Sequence, residues 1–318
     1  MSYLFERGDF AELVEMAAAS ASIPNAAIVE KDYYVTEALR LITREFGDVV
    51  IFKGGTSLSK GWKIIDRFSE DIDLYVEPAE SEAETLARFE QIAAIVATFP
   101  GFTGRLGRTD KGSSSWIEEF TYESQVPTLG DIRPVVLLEA GIQSADQPAE
   151  SRDLTSLLGE TLDSQRADSG TDDRAPFAMR LLHFRRTFVE KLFTLHSRVE
   201  RVVRQDRDLG RDARHYYDLA MLLGRKETTD MLASEEYTLI CGQYRDLTGK
   251  FYPGQVKLLP DGMSLMNSQA LFPEDALRGR LEAAYIREAD SLCYGPYPSF
   301  GEVLEGFVGI RSELDIHV

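Results

Sequence analysis

Asp71 and Asp73, two residues apart in DIDLYVE, are the first side chains whose type and spacing suggest chemistry. In an extended segment, side chains two apart point to the same side. Both carboxylates then share one face, while Ile72 and Leu74 take the other and face a core. Carboxylate oxygens held this way are hard ligands, suited to Mg²⁺ or Mn²⁺. A lone D-x-D is common, however, and a half-exposed strand with two solvated acids gives the same pattern.

The residues upstream sharpen the reading. Gly54 and Gly55 end the apolar run VVIFK and open TSLSKGW. A glycine pair between a strand and a helix gathers free backbone N–H groups at the positive end of the helix dipole, where a phosphate is favoured. A plain strand-to-helix turn also favours glycine. It is not a Walker A loop, because Ser59 stands where the second glycine belongs and Gly61 where Ser or Thr should follow the lysine. The expected nucleotide-binding set is Lys53, Gly54, Gly55, Thr56 and Ser57, with Arg67 and Ser69 adding phosphate contacts just before the aspartates. A phosphate-binding turn followed by a metal-binding strand would bring a nucleoside triphosphate and its metal together. Two-metal chemistry wants a third carboxylate. Glu139 is the candidate, because it interrupts the apolar PVVLLEAG, where an unpaired buried charge would be costly. A strand end that turns Glu139 to solvent is the other reading.

These blocks resemble the AbiEii-like nucleotidyltransferase toxins, a branch of the polymerase-β-type nucleotidyltransferase superfamily. The shared signature is a Gly-(Gly)-Ser/Thr turn, a spacer and Asp-x-Asp, here KGGTSLSKGWKIIDRFSEDIDL, with RFSEDIDL its most specific part. LLEAG (137–141) is similar to the family's third-carboxylate strand, with Glu in place of Asp. RTFVEKLFTLH (186–196) and RHYYDLAML (214–222) resemble two later motifs, in the same order. The resemblance implies a metal-dependent nucleotidyltransferase that moves a nucleoside monophosphate from an NTP to an acceptor hydroxyl and releases pyrophosphate. It implies Asp71, Asp73 and Glu139 as ligands of Mg²⁺ or Mn²⁺. Lys191 would reach the phosphates, and Asp218 would be a late catalytic or nucleotide-orienting acid. From the residues alone, Lys191 fits a lysine snorkelling from an amphipathic helix and Asp218 a helix-surface acid. The family setting further implies an RNA acceptor, a tRNA 3′ end, and a toxin–antitoxin or phage-defence system with a separately encoded antitoxin.

Elements that would position these residues follow from periodicity. Residues 9–20, 26–46 and 81–98 read as helices, with Asn25 capping the second. Residues 49–53 and 71–77 read as strands, and 56–66 as a short helix. Extended pieces follow at FTGRLGRT, SSSWIEEFTYES and PVVLLEAGIQ. Residues 144–173, rich in Asp, Glu, Ser and Gln, read as a boundary loop with one short helix around Leu154–Leu158. From 176 onward the pattern is helical. The expected fold class is α+β: a polymerase-β-type core of a small mixed sheet with flanking helices, plus a helical C-terminal domain. The expected division is 1–150, a nucleotidyltransferase domain with N-terminal helices, and 151–318, a helical domain carrying the later motifs.

Bulk properties narrow the remaining classes. No apolar run approaches the roughly 20 residues needed to span a bilayer, and Glu6, Asp9, Glu12 and Glu15 stand where a signal peptide would be basic and then apolar. Cys241 and Cys293 suit a reducing compartment, so a cytoplasmic location and no membrane partner are expected. The net charge is −18, from 53 acidic and 35 basic residues, which argues against a simple DNA-binding module. Nine arginines between Arg180 and Arg214 form the densest positive stretch, either a basic surface or a helix face of i,i+4 pairs. The four histidines, His183, His196, His215 and His317, show no zinc spacing. The acidic charge suits a rival acceptor, a protein or small-molecule hydroxyl. A glycosyltransferase using the D-x-D would leave the glycine turn and Lys191 without a role. A catalytically inactive binding protein would leave Asp71 and Asp73 dispensable.

Overall fold

The strand VIFK is β-branched and aromatic, and its first three residues are fully buried. It lies inside a seven-stranded mixed sheet in a computed structural model that describes residues 3–69, 71–110, 113–127, 132–166 and 170–316. Two compact units divide the chain: Met1–Lys63 with Phe68–Leu182, and Ile64–Arg67 with His183–Val318. The units part after Leu182 rather than near residue 150.

In the first unit, α1 (Phe10–Ser20) and α2 (Ala26–Phe46) precede the sheet. Asn25 starts α2 by accepting the Ala27 N–H, as its position predicts. There follow β1 (Val50–Lys53), α3 (Gly54–Lys60), β2 (Asp71–Val76), α4 (Glu82–Val96), β3 (Phe102–Asp110), β4 (Ser115–Tyr122), β5 (Val135–Gly141), β6 (Ala149–Leu154), α5 (Leu157–Ser164) and β7 (Phe177–Leu182). The strand order is β3-β4-β5-β2-β1-β7-β6. β2 pairs antiparallel with β1 and parallel with β5, so it is flanked on both sides. This is the expected α+β class, with a larger sheet than expected.

Three local expectations need correction. The helix expected over 56–66 is α3, which starts at Gly54 and stops at Lys60. Beyond it Trp62 is drawn into the core, with its indole N–H donating to the Leu182 carbonyl at 3.1 Å. The loop expected over 144–173 contains β6 and α5. β6 is a sheet edge with four consecutive exposed residues, so its polar composition hides a strand. FAMRLL, read as the start of a helix, is β7, paired between β1 and β6.

The second unit is helical: α6 (Phe184–Gln205), α7 (Arg214–Leu223), α8 (Lys226–Leu232), α9 (Glu235–Phe251), α10 (Asp275–Leu292) and α11 (Phe300–Gly309). His183 caps α6 by accepting the Arg185 N–H. The segment Ile64–Arg67 belongs to this unit because three contacts hold it there. The Asp66 N–H donates to the Tyr217 hydroxyl at 2.9 Å, the Tyr294 N–H donates to the Asp66 carbonyl at 3.1 Å, and Arg67 forms an antiparallel bridge with Cys293. Cys241 and Cys293 are both free thiols. Among the described residues, no helix is long and apolar enough to cross a membrane.

Candidate active site

The β2 sequence alternates half-buried and buried positions without a break. Asp71 and Asp73 therefore lie on one face and Ile72, Leu74 and Val76 on the other, which is fully buried. Register extends that polar face sideways. Asp73 is directly opposite Lys53 on β1 and directly opposite Glu139 on β5. Neighbouring strands lie roughly 4.8 Å apart, so Lys53, Asp73 and Glu139 form a row across three strands, with Asp71 one pleat along. Glu139 sits inside β5 and is half-buried on this shared face, between the buried Leu138 and Ala140.

The glycine turn is fitted against this row. Gly54 has φ of +77°, a backbone conformation that favours glycine. A Cβ built there would fall 2.0 Å from the Asp73 Oδ2 and 2.9 Å from its Cγ. The missing side chain of Gly54 is thus the space that the Asp73 carboxylate occupies. Lys53 is half-buried at the N-cap of α3 and has no side-chain partner among the described residues. Thr56 and Ser57 are buried, and their hydroxyls turn inward. The Ser57 Oγ donates to the Gly54 carbonyl at 2.9 Å, and the Thr56 Oγ1 meets the Ser69 Oγ at 2.9 Å. These hydroxyls brace the turn where phosphate contacts are expected from the sequence.

In the helical unit a second group forms around Asp218, which is fully buried. Arg67 grips it with two bonds, Nε to Oδ1 at 2.6 Å and Nη2 to Oδ2 at 2.8 Å. Lys191 Nζ lies 2.8 Å from Oδ2 and 3.3 Å from the His215 Nδ1. Burial works to raise the Asp218 pKa, but Arg67 and then Lys191 overcome it and hold the carboxyl well below the usual carboxylate range. Burial pulls the Lys191 ammonium and the His215 imidazole down. The Arg67 guanidinium, expected at phosphates, is buried and engaged with Asp218. Asp218 is no helix-surface acid and Lys191 no snorkelling lysine. A lysine ammonium has three donor protons, and Lys191 uses two on described partners. His215, three residues before Asp218 on α7, joins the group. The sequence signal for it was its position inside the RHYYDLAML block.

The remaining residues divide as follows. Four of the clustered arginines pair with acids: Arg185 with Glu236, Arg186 with Glu190, Arg198 with Asp212 and Arg204 with Glu200. Arg201 and Arg207 have no acidic partner among the described residues. His196 hydrogen-bonds Ser268, and His317 lies outside the described residues. Among those residues no group of three His, Cys, Asp or Glu side chains closes into a ready metal cage. The Asp71, Asp73 and Glu139 face nevertheless fits Mg²⁺. That ion is usually held by one or two carboxylates plus waters and substrate phosphates, rather than by an all-protein shell.

Comparison with known proteins identifies the family. A family model described as the nucleotidyl transferase AbiEii toxin of type IV toxin–antitoxin systems matches residues 39–305. One of the solved structures the chain matches is MenT4, a nucleotidyltransferase toxin of Mycobacterium tuberculosis. It is 16% identical with a TM-score of 0.48, over 95% of this chain and 97% of that one. No curated protein matches the chain. The matched span takes in the glycine turn, the paired aspartates, Glu139 and the Lys191–Asp218 group, and the protein belongs to the AbiEii nucleotidyltransferase toxin family of type IV toxin–antitoxin systems.

Proposed function

We propose that the protein transfers a nucleoside monophosphate from an NTP to the 3′-terminal hydroxyl of an RNA, a tRNA, and thereby blocks translation in the cytoplasm until a separately encoded antitoxin relieves it. The observation that carries this reading is the row of Lys53, Asp73 and Glu139 across three strands, with Asp73 seated in the space that Gly54 leaves. Asp71, Asp73 and Glu139 would hold Mg²⁺ (or Mn²⁺). A metal ion bound there lowers the pKa of the acceptor hydroxyl and neutralises charge on the attacking and leaving oxygens.

The chain's own residues supply position and charge. The backbone N–H groups of the Gly54–Ser57 turn bind phosphate oxygens. Lys53 adds a cation beside the turn, and in the helical unit Lys191 keeps a third N–H beyond those given to Asp218 and His215. Arg67 and Asp218 act as positioning residues: Arg67 holds Asp218 charged, and Asp218 fixes Lys191. The acceptor oxygen attacks the α-phosphorus in line, the bond from that phosphorus to the bridging oxygen breaks, and pyrophosphate leaves. Arg201 and Arg207, without acidic partners, favour an RNA acceptor. The net charge of −18 favours a second reading, transfer to a protein or small-molecule hydroxyl.

The test incubates the protein with Mg²⁺, each α-labelled NTP in turn, and total RNA or cell protein, with Asp71→Ala as control. Label in tRNA-sized RNA, absent in the control, supports the first reading and names the nucleotide. Label in protein overturns the RNA acceptor and keeps the second reading.

A further inference from the structure

The helical unit contains a cavity of about 310 Å³ that the transfer chemistry does not use. His196 and Glu200, one turn apart on α6, line one side, and the 258–268 segment lines the other. His196 is buried, with Nδ1 2.7 Å from the Ser268 Oγ. Ser268 Oγ also accepts the Ala270 N–H at 3.3 Å. Which of the two donates depends on the ring tautomer, and Nε2 is the second polar atom of the imidazole. Nε2 has no partner among the described residues, and the side chain lines the cavity. Burial lowers the pKa of the ring.

Two further groups complete a polar edge. Arg204 donates twice to Glu200 Oε2, which leaves Oε1 as an acceptor. Arg311 Nη2 donates to the Asn267 Oδ1 at 3.4 Å, so the amide N–H₂ is left as a donor. Leu258, Leu259 and Pro260 add apolar lining. Arg204, the one cation lining the cavity, is bound to Glu200, and Asp261 adds a further negative charge, so a phosphate is disfavoured inside. A flat, neutral ligand with alternating donors and acceptors at its edge and apolar faces meets all of these terms.

We propose that this cavity binds a nucleobase, with any attached phosphate outside. The base can come from a free nucleotide or from an RNA strand. Binding of unphosphorylated nucleosides does not depend on the transfer reaction, so failure here and failure of the proposed acceptor are separable.

Equilibrium dialysis of the full-length protein in EDTA, with adenosine, guanosine, cytidine and uridine separately and then with a single-stranded oligoribonucleotide, tests this. Saturable binding of a nucleoside is expected, weakened about tenfold by Asn267→Ala and by His196→Leu, the loss of one hydrogen bond each. His196→Gln, which keeps an N–H, should restore part of it. Binding of the oligonucleotide alone, with the same sensitivity to Asn267→Ala, assigns the base to RNA. Absence of binding by every probe, or binding that neither Asn267→Ala nor His196→Leu weakens, overturns the proposal.

Discussion

Arg67→Met isolates what the Asp218 group contributes. The change removes both guanidinium bonds and leaves a fully buried carboxylate with Lys191 as its remaining cation. Removing one partner of a buried charge group costs up to about 3–5 kcal/mol, because both guanidinium bonds are lost and Lys191 alone must compensate the carboxylate. That is a large share of the roughly 5–15 kcal/mol by which a domain is stable. It should lower the melting temperature by about 10 °C. The triple variant Arg67→Met/Asp218→Leu/Lys191→Met should recover most of the loss, since no buried charge is then left unpaired. pH gives a second handle. Asp218 is held below its unfolded value, so its contribution is present above about pH 4 and is lost as pH falls further. The deficit of Arg67→Met against wild type should therefore be largest near neutrality and shrink in acid. Urea unfolding at several pH values reads both effects. A single-variant loss under about 1 kcal/mol, or a triple variant less stable than the single one, would refute the argument.

Further predictions concern the turn, the row and a buried acid. Gly54→Ala forces a Cβ into the Asp73 carboxylate at a positive φ. Nucleotidyl transfer should fall by about a hundredfold or more, while the thermal midpoint changes by only a few degrees in a melting assay. Lys53→Ala should raise KM for the NTP about tenfold with a smaller change in kcat, the signature of a binding cation. Glu37 is buried, which raises its pKa to about 7 despite Arg40. A carboxyl raised above its unfolded value contributes stability that is full below about pH 4.5 and lost as pH rises to about 7, here of order 3 kcal/mol. Glu37→Gln should flatten that decline in urea midpoints measured from pH 4.5 to 8.

How much was legible in the sequence depended on whether the signal was local. The alternation of DIDLYV and the glycine pair after VIFK marked β2 and the turn, because each pattern reports its own backbone and one buried face. β6 carried no such signal, since an edge strand with exposed side chains reads as loop. FAMRLL was absorbed into the helical pattern that follows it, and only its pairing with β1 and β6 makes it a strand. Asp218 was ambiguous because its partner Arg67 is 151 positions away, a distance over which no periodicity carries information. The inward turn of Ser57 was equally hidden, because a hydroxyl after a glycine turn can cap the turn or face a ligand.

The central claim, that the paired aspartates carry nucleotidyl rather than phosphoryl transfer, is tested most directly with α-labelled and γ-labelled NTP run side by side on wild type and Asp73→Asn. The account predicts that the α label enters the acceptor, that the γ label leaves as pyrophosphate, and that both events disappear in Asp73→Asn. Gamma label in the acceptor, or full transfer by Asp73→Asn, would contradict it.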